Sequence, residues 1–124
     1  DAGEDLPETD SSKQVLISGK SFHTISFLGD GELIDIAVRQ SGPGKWFAVL
    51  CTGGATPTLT KCDVDGATSS CVGICEGAAP TLSECTIHGS HTGAGVCVFA
   101  GGAGTITECE IFANAVSGVE VMGE

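Results

Sequence analysis

The stretch Pro80-Thr81-Leu82-Ser83-Glu84-Cys85-Thr86-Ile87-His88-Gly89 decides the fold, because related copies precede and follow it along the chain. The earlier copy spans residues 57–66 and the later copy spans residues 104–113. Each copy is followed by a short apolar alternation: Val72-Gly73-Ile74, Val96-Cys97-Val98 and Val119-Glu120-Val121. Self-similarity at a nearly fixed period is typical of stacked repeats, since one copy cannot bury its own apolar face.

A degenerate copy precedes these three and extends the repeat toward the N-terminus. Equivalent apolar positions are 26, 23 and 24 residues apart, at Leu33, Leu59, Leu82 and Ile106. We therefore expect one domain over residues 13–124, with repeats near 31–55, 56–78, 79–103 and 104–124. Residues 1–12 contain five acids and no Lys or Arg, which predicts an extended acidic arm in solvent.

Side chains within each copy alternate with period two, as in a strand that buries one face. The copy that starts at Pro80 is expected to direct five side chains inward, namely Leu82, Cys85, Ile87, Val96 and Val98. Its outward side chains are expected to be Thr81, Ser83 and Cys97, with a bend near Cys85. Glycines cluster between these segments, where the chain must turn. No segment has a helical period, so an all-β fold is predicted.

The quoted stretch and the segment Glu110-Ile111-Phe112-Ala113-Asn114-Ala115-Val116-Ser117-Gly118-Val119-Glu120-Val121 resemble the right-handed parallel β-helix of the pectate-lyase-like superfamily. The resemblance is closest to the short-repeat type in the β-helix region of F-box proteins and in carbohydrate-binding and sugar-hydrolase domains. It implies a solenoid of about four to five coils with an irregular N-terminal arm. Many functions share this fold, so the resemblance specifies architecture rather than activity.

The charge balance excludes a nucleic-acid binder. Sixteen acidic residues against five Lys and Arg give a net charge of −11, whereas binding to phosphates needs a basic footprint. The longest apolar run, residues 47–51, is far shorter than the roughly 20 residues that span a bilayer, so no membrane span is expected. No signal peptide is recognisable, and together with free thiols this favours an intracellular or organelle location.

Seven cysteines admit two interpretations, a disulfide framework or buried structural thiols. The count is odd and no C-x-x-C pair occurs, so buried thiols that pack as small apolar groups are the favoured interpretation. Stacked copies would place Cys62, Cys85 and Cys109 in one inward column. A redox or soft-metal site in this column remains an alternative hypothesis.

The outward columns of the stack carry hydroxyls and carboxylates. Two hydroxyl columns are predicted: Thr58, Thr81, Thr105 and Thr60, Ser83, Thr107. They are interpreted as solvated ladders, with ice binding as an alternative function. The next column is Lys61, Glu84 and Glu108. Glu84, Glu108 and Glu110 are weak candidates for a calcium site, although a solvated acidic face needs no ion. No metal or cofactor is therefore expected.

The resemblance raises polysaccharide lyases, hydrolases and epimerases as enzyme candidates. Lyases of this fold use an Arg or Lys base beside calcium-binding Asp residues, and the hydrolases use clustered Asp residues. The repeat region offers only Lys61, Asp63 and Asp65 for these roles, and nothing in the sequence converges on the two aspartates. His88 is expected between Asp65 and Phe112 in its column and is interpreted as structural. No catalytic residue is assigned, and the chain is predicted not to be an enzyme.

The pattern at the C-terminal end favours an interaction function. Residues 119–121 read as a strand with no polar cap after them, and an open solenoid end exposes unpaired backbone groups and apolar side chains. We expect a non-catalytic structural or protein-interaction β-helix, a subunit or fragment of a larger assembly. Another protein chain or a second copy is expected to cover the C-terminal coil. The interaction candidates are Trp46, Val119, Val121 and Met122. The alternatives are a carbohydrate-binding or carbohydrate-processing β-helix and an ice-binding solenoid.

Overall fold

A computed structural model of the chain describes residues 15–122, and within that range it contains β-strands and no helix. The strands are β1 Val15–Gly19, β2 Ile25–Phe27, β3 Glu32–Ile34, β4 Ile36–Gln40, β5 Val49–Cys51, β6 Thr58–Thr60, β7 Asp63–Asp65, β8 Val72–Ile74, β9 Thr81–Ser83, β10 Thr86–His88, β11 Val96–Val98, β12 Thr105–Thr107, β13 Glu110–Phe112 and β14 Val119–Val121. The acidic arm predicted at residues 1–12 lies outside the described residues.

The strands form three parallel sheets, one on each side of a solenoid. Sheet 1 has the order β1-β4-β7-β10-β13, sheet 2 has the order β14-β11-β8-β5-β2, and sheet 3 has the order β12-β9-β6-β3. Every third strand therefore pairs with its equivalent one coil later, which gives four coils of three strands followed by β13 and β14. The predicted all-β parallel solenoid is confirmed.

Parallel register stacks equivalent apolar residues directly on one another and makes them the core. In sheet 1, Val64 pairs with Ile87, and in sheet 3, Leu59 pairs with Leu82. These four side chains are at most 1% exposed. In sheet 2 both ends of a strand face inward, so Val72 and Val96 form one column and Ile74 and Val98 form a second. The interior is narrow, which suits Val, Ile, Leu and Cys better than large rings.

The bend between sheet 3 and sheet 1 uses one left-handed residue per coil. Asp35, Lys61, Glu84 and Glu108 have φ between 53° and 58°. The amide of Glu84 donates to Thr107 of the next coil at 3.0 Å, and the amide of Lys61 donates to Ser83 at 3.0 Å. The left-handed backbone therefore redirects the chain while its amide still joins the ladder. This is the bend that interrupts the period-two pattern in each sequence repeat.

The cysteines that follow this bend form the predicted inward column. The Sγ of Cys85 lies 3.3 Å from the Leu59 carbonyl oxygen, and the Sγ of Cys109 lies 3.4 Å from that of Leu82. Cys62 makes the equivalent contact with Leu33 at 3.4 Å. Each thiol can therefore donate to a carbonyl of the preceding coil, which satisfies a weak donor inside the core.

No helix in the described part of the chain is long and apolar enough to cross a membrane.

Replacing Ile87 with alanine should lower the free energy of unfolding by about 2–5 kcal/mol, because the side chain is fully buried and the two neighbouring coils hold the cavity open. Ile34 is the matched control, since 55% of it is exposed and its replacement by alanine should cost less than about 1 kcal/mol. Equilibrium unfolding in urea measures both values. Equal losses in the two variants would contradict the inward assignment of Ile87.

Candidate functional site

The outward face of sheet 1 carries Asp63, Asp65 and His88, which we call the sheet 1 cluster. Val64 points into the core, so the two aspartates on either side of it point outward together. Parallel register places His88 opposite Asp65. The Nε2 of His88 lies 2.8 Å from Oδ1 of Asp63 and 3.7 Å from Oδ2 of Asp65. One donor atom from each of the three residues lies within 4.8 Å of the others, so the cluster converges on one point.

Two neighbours in the same outward column hold the sheet 1 cluster in place. Arg39 stands opposite Asp65, and its Nε donates to Oδ1 of that carboxylate at 3.0 Å. This hydrogen bond raises the pKa of Arg39. On the other side, the ring of Phe112 stacks on His88 with centroids 5.1 Å apart and an angle of 4° between the planes. The imidazole is therefore fixed by a ring on one face and by carboxylates at its edge.

The expectation that nothing converges on Asp63 and Asp65 is wrong. The alignment of His88 with Asp65 and Phe112 is confirmed by the strand register. The contact that the sequence did not reveal is the diagonal one between His88 and Asp63, which depends on side-chain direction. An imidazole nitrogen beside two carboxylate oxygens can share a proton with them or can bind a cation with them.

The three glutamates proposed for a calcium site lie at two different kinds of position in the coil. Glu84 and Glu108 occupy left-handed bend positions of successive coils, and both are exposed. Glu110 begins β13, opposite Thr86. Among the described residues, the oxygen and nitrogen donors that converge are those of the sheet 1 cluster. The calcium hypothesis for these glutamates stays a prediction.

A second surface feature is a run of rings, which we call the aromatic strip, formed by Phe22, His23, Trp46, Phe47 and Phe99. The ring pairs are Phe22–His23 at 4.6 Å, Phe22–Trp46 at 4.9 Å, His23–Trp46 at 5.4 Å, His23–Phe47 at 5.4 Å and Phe47–Phe99 at 6.0 Å. Gly73 makes room for the strip, because a Cβ there would lie 2.8 Å from the Phe47 ring. Trp46, an interaction candidate, is half-buried between Phe22 and His23.

A hydrogen bond orients His23 inside the aromatic strip. The amide of Phe47 donates to Nδ1 of His23 at 2.9 Å, so neutral His23 carries its proton on Nε2. Burial among the rings lowers the pKa of His23. Phe22 at the end of the strip is 59% exposed. The sequence repeat does not group these rings, because four of them lie in irregular segments that precede β2 and β5.

The third feature is the C-terminal edge, which we define as β12, β13 and β14 at the end of the three sheets. The predicted interaction residues Val119, Val121 and Met122 are 44%, 74% and 52% exposed there. A cavity of about 330 Å³ opens beside them and is lined by Ile74, Val98, Gly102, Ala103, Gly104, Ile106, Val119 and Val121. This edge therefore combines apolar side chains with strand positions that have no described partner on one side.

The hydroxyl columns and the thiols are placed as the repeat predicts. Thr58 pairs with Thr81 and Thr81 with Thr105, which confirms the first outward column of sheet 3. The function of this column in ice binding stays a prediction.

All seven cysteines are free, and six of them are buried. A hydrogen bond with Cys85 lowers the pKa of Cys62 to about 7, and the same bond raises that of Cys85. Burial raises the pKa of Cys51 to about 12. Cys62 is only 1% exposed, so its acidity does not offer an accessible nucleophile.

One comparison with known proteins identifies a relationship. A family model described as "Right handed beta helix region" matches residues 9–124. No curated protein and no solved structure matches the chain.

Acid should weaken the fold through His23. Its pKa in the folded chain lies below the ordinary value of 6.5, so below that pH the unfolded chain binds a proton at this site more readily than the folded chain does. The contribution of neutral His23 is complete above pH 6.5 and is lost as the pH falls toward the folded pKa. His23→Asn, which keeps an acceptor for Phe47, should reduce the dependence of the unfolding free energy on pH between about 7 and 5.

Urea unfolding at several pH values measures this dependence, with His91→Asn as the matched control because His91 is exposed. An unchanged pH profile in His23→Asn would contradict the assignment.

Proposed function

The chain belongs to the right-handed β-helix family, and we propose that it is a non-catalytic structural subunit that assembles with further copies through the ends of its solenoid. The observation that carries the proposal is the apolar C-terminal edge, where Val121 is 74% exposed beside an open cavity. Strand positions at a sheet edge present backbone groups that can pair with another chain. Covering this edge would satisfy those groups and remove the apolar surface from water.

The N-terminal edge, which we define as β1, β2 and β3, matches the C-terminal edge in the columns of sheets 1 and 2. It also exposes apolar side chains, with Val15 62% and Leu28 74% exposed. If a second copy continued the ladders of sheets 1 and 2, its β1 and β2 would pair with β13 and β14. Sheet 3 has four strands where the other two have five, so one strand position would stay open between β12 and the β3 of the second copy. The inward contacts would then be Ile111 with Ile17, Val119 with Ile25, and Val121 with Phe27, as the registers along sheets 1 and 2 require. Each of these contacts joins two apolar residues.

Charge favours this head-to-tail arrangement over the contact of two C-terminal edges. The last coil carries Glu108, Glu110 and Glu120, and the sequence contains no Lys or Arg after Lys61. Contact between two such edges would therefore bring like charges together. In the head-to-tail arrangement, Glu110 would stand opposite Leu16 and Glu120 opposite Ser26. Such a contact joins two different surfaces of the chain, so it can continue from copy to copy.

A pair of glutamate substitutions tests the assembly. Leu28 follows β2 and Met122 follows β14, so they stand at the two ends of one column, and 74% and 52% of them are exposed. Leu28→Glu and Met122→Glu should each weaken self-association at least about tenfold, because each buries a charge against apolar residues. Sedimentation equilibrium should show species larger than a monomer for the unmodified chain and monomers for each variant alone.

The mixture of the two variants distinguishes the arrangements. Each variant keeps the edge that the other has lost, so an equal mixture should form a dimer and stop there. Thr81→Glu places the same charge in the middle of sheet 3 and should leave association unchanged. Dimers of Leu28→Glu alone would show contact between two C-terminal edges and overturn the head-to-tail arrangement. A monomeric unmodified chain at millimolar concentration would overturn the assembly itself.

The aromatic strip favours carbohydrate binding as a second candidate function. Membership of the pectate-lyase-like superfamily, which is narrower than the right-handed β-helix family, is proposed together with this function. The apolar face of a sugar can pack on an exposed aromatic ring. Phe22 offers such a ring, since it is 59% exposed. The centroid of its ring lies 4.9 Å from that of Trp46 and 4.6 Å from that of His23. A ring supported from behind is held rigid, which lowers the entropy cost of binding.

Phe22→Ala should therefore weaken binding of the best neutral oligosaccharide from a glycan array by roughly tenfold, through loss of the stacked face. Phe112→Ala is the matched control, because Phe112 is 51% exposed but lies outside the aromatic strip. Isothermal titration with the selected sugar measures both affinities. An array without a binder, or equal affinities of the two variants, would remove this candidate.

A further inference from the structure

We propose that the sheet 1 cluster is a binding site for a divalent transition-metal ion of the zinc class. The donors are Oδ1 of Asp63, Oδ2 of Asp65 and Nε2 of His88. The three donors lie on the outward face of β7 and β10, which are not the edge strands through which assembly is proposed, and only the supporting ring of Phe112 belongs to β13.

The chemistry of the donors selects the class of ion. Zn²⁺ and related ions bind imidazole nitrogen together with carboxylate oxygen, whereas Ca²⁺ and Mg²⁺ prefer oxygen donors alone. A set of one imidazole and two carboxylates therefore favours the zinc class over calcium. Arg39 offsets one of the two carboxylate charges, so the cluster keeps one net negative charge for the ion, and the net charge of −11 attracts cations to the surface as a whole.

The distances suit an ion of that size. Bonds of about 2.0–2.2 Å to nitrogen and oxygen place neighbouring ligand atoms about 3.0–3.5 Å apart. Nε2 of His88 lies 2.8 Å from the Asp63 oxygen and 3.7 Å from the Asp65 oxygen, so these two separations bracket the required range. The two carboxylate oxygens lie within 4.8 Å of one another, so rotation of the Asp63 and Asp65 side chains would close the three donors around an ion.

The surroundings hold the donors in position before any ion binds. β7 pairs with β4 on one side and with β10 on the other, which fixes the backbone of all three donors. Arg39 binds Oδ1 of Asp65 at 3.0 Å and leaves Oδ2 directed toward His88. Phe112 stacks on the imidazole and restricts its rotation. Contacts of this kind orient metal ligands and strengthen binding.

Solvent access leaves room for the remaining ligands. The side chains of Asp63, Asp65 and His88 are 40%, 21% and 25% exposed, so an ion bound by all three would keep at least one position open to water. Three protein donors with an open position is the arrangement of a zinc site that can exchange a water ligand. The cluster is therefore a surface site with exchangeable water and not an enclosed structural one.

Titration of the full chain with Zn²⁺ in a calorimeter tests the proposal, with the thiols kept reduced by a phosphine that does not bind the metal. We expect one equivalent of Zn²⁺ to bind, and Ca²⁺ to bind at least about tenfold more weakly. His88→Gln should weaken Zn²⁺ binding at least about tenfold, whereas His91→Gln should leave it unchanged, since His91 is exposed outside the cluster.

Two further variants keep the result decisive. Asp63→Asn removes the most exposed donor, so it should weaken binding as His88→Gln does while circular dichroism shows an intact fold. Cys109→Ser removes the cysteine that is not fully buried and should have no effect. Absence of Zn²⁺ binding up to 1 mM, equal affinities of His88→Gln and the unmodified chain, or loss of binding only in Cys109→Ser would overturn the proposal.

Discussion

Parallel pairing of each coil with the next is the constraint on which the rest of the molecule depends. It fixes the length of a repeat, because each strand must arrive opposite its equivalent about 4.8 Å further along the axis. It also explains the left-handed residue at each bend, where the amide of Glu84 or Lys61 must reach a carbonyl of the next coil. Side chains follow from this backbone arrangement, since equal register turns every sequence position into a column.

Columns of like residues give the solenoid an interior without a separate packing element. Leu59 lies on Leu82, and Val64 lies on Ile87, so each buried side chain is covered from above and below by its own equivalents. The thiols of Cys62, Cys85 and Cys109 fill the bend and contact carbonyl oxygens of the preceding coil. The apolar residues in the first and last strands have a stacked neighbour on one side only. The two edges therefore expose the apolar residues on which the proposed assembly depends.

The same register also places the outward side chains in columns, but the residues in these columns differ from coil to coil. Arg39, Asp65, His88 and Phe112 occupy one outward column and differ in every coil. The aromatic strip arises instead from segments between strands, where Phe47 lies over Gly73 because that position has no side chain. A repeating backbone thus carries surface chemistry that does not repeat, which is how one architecture can support different functions.

The amino-acid sequence by itself determined the repeat, the parallel solenoid and the membership of its regular columns, including Cys62 with Cys85 and Thr81 with Thr105. Repeats of nearly equal length align without knowledge of the fold, and period two separates inward from outward positions. Only the tertiary structure decided which side chains converge. Arg39 belongs to the degenerate first repeat, His88 reaches Asp63 along a diagonal, and His23 meets Phe47 through irregular segments. These contacts depend on side-chain direction and on the path of loops of unequal length, neither of which a repeat period specifies.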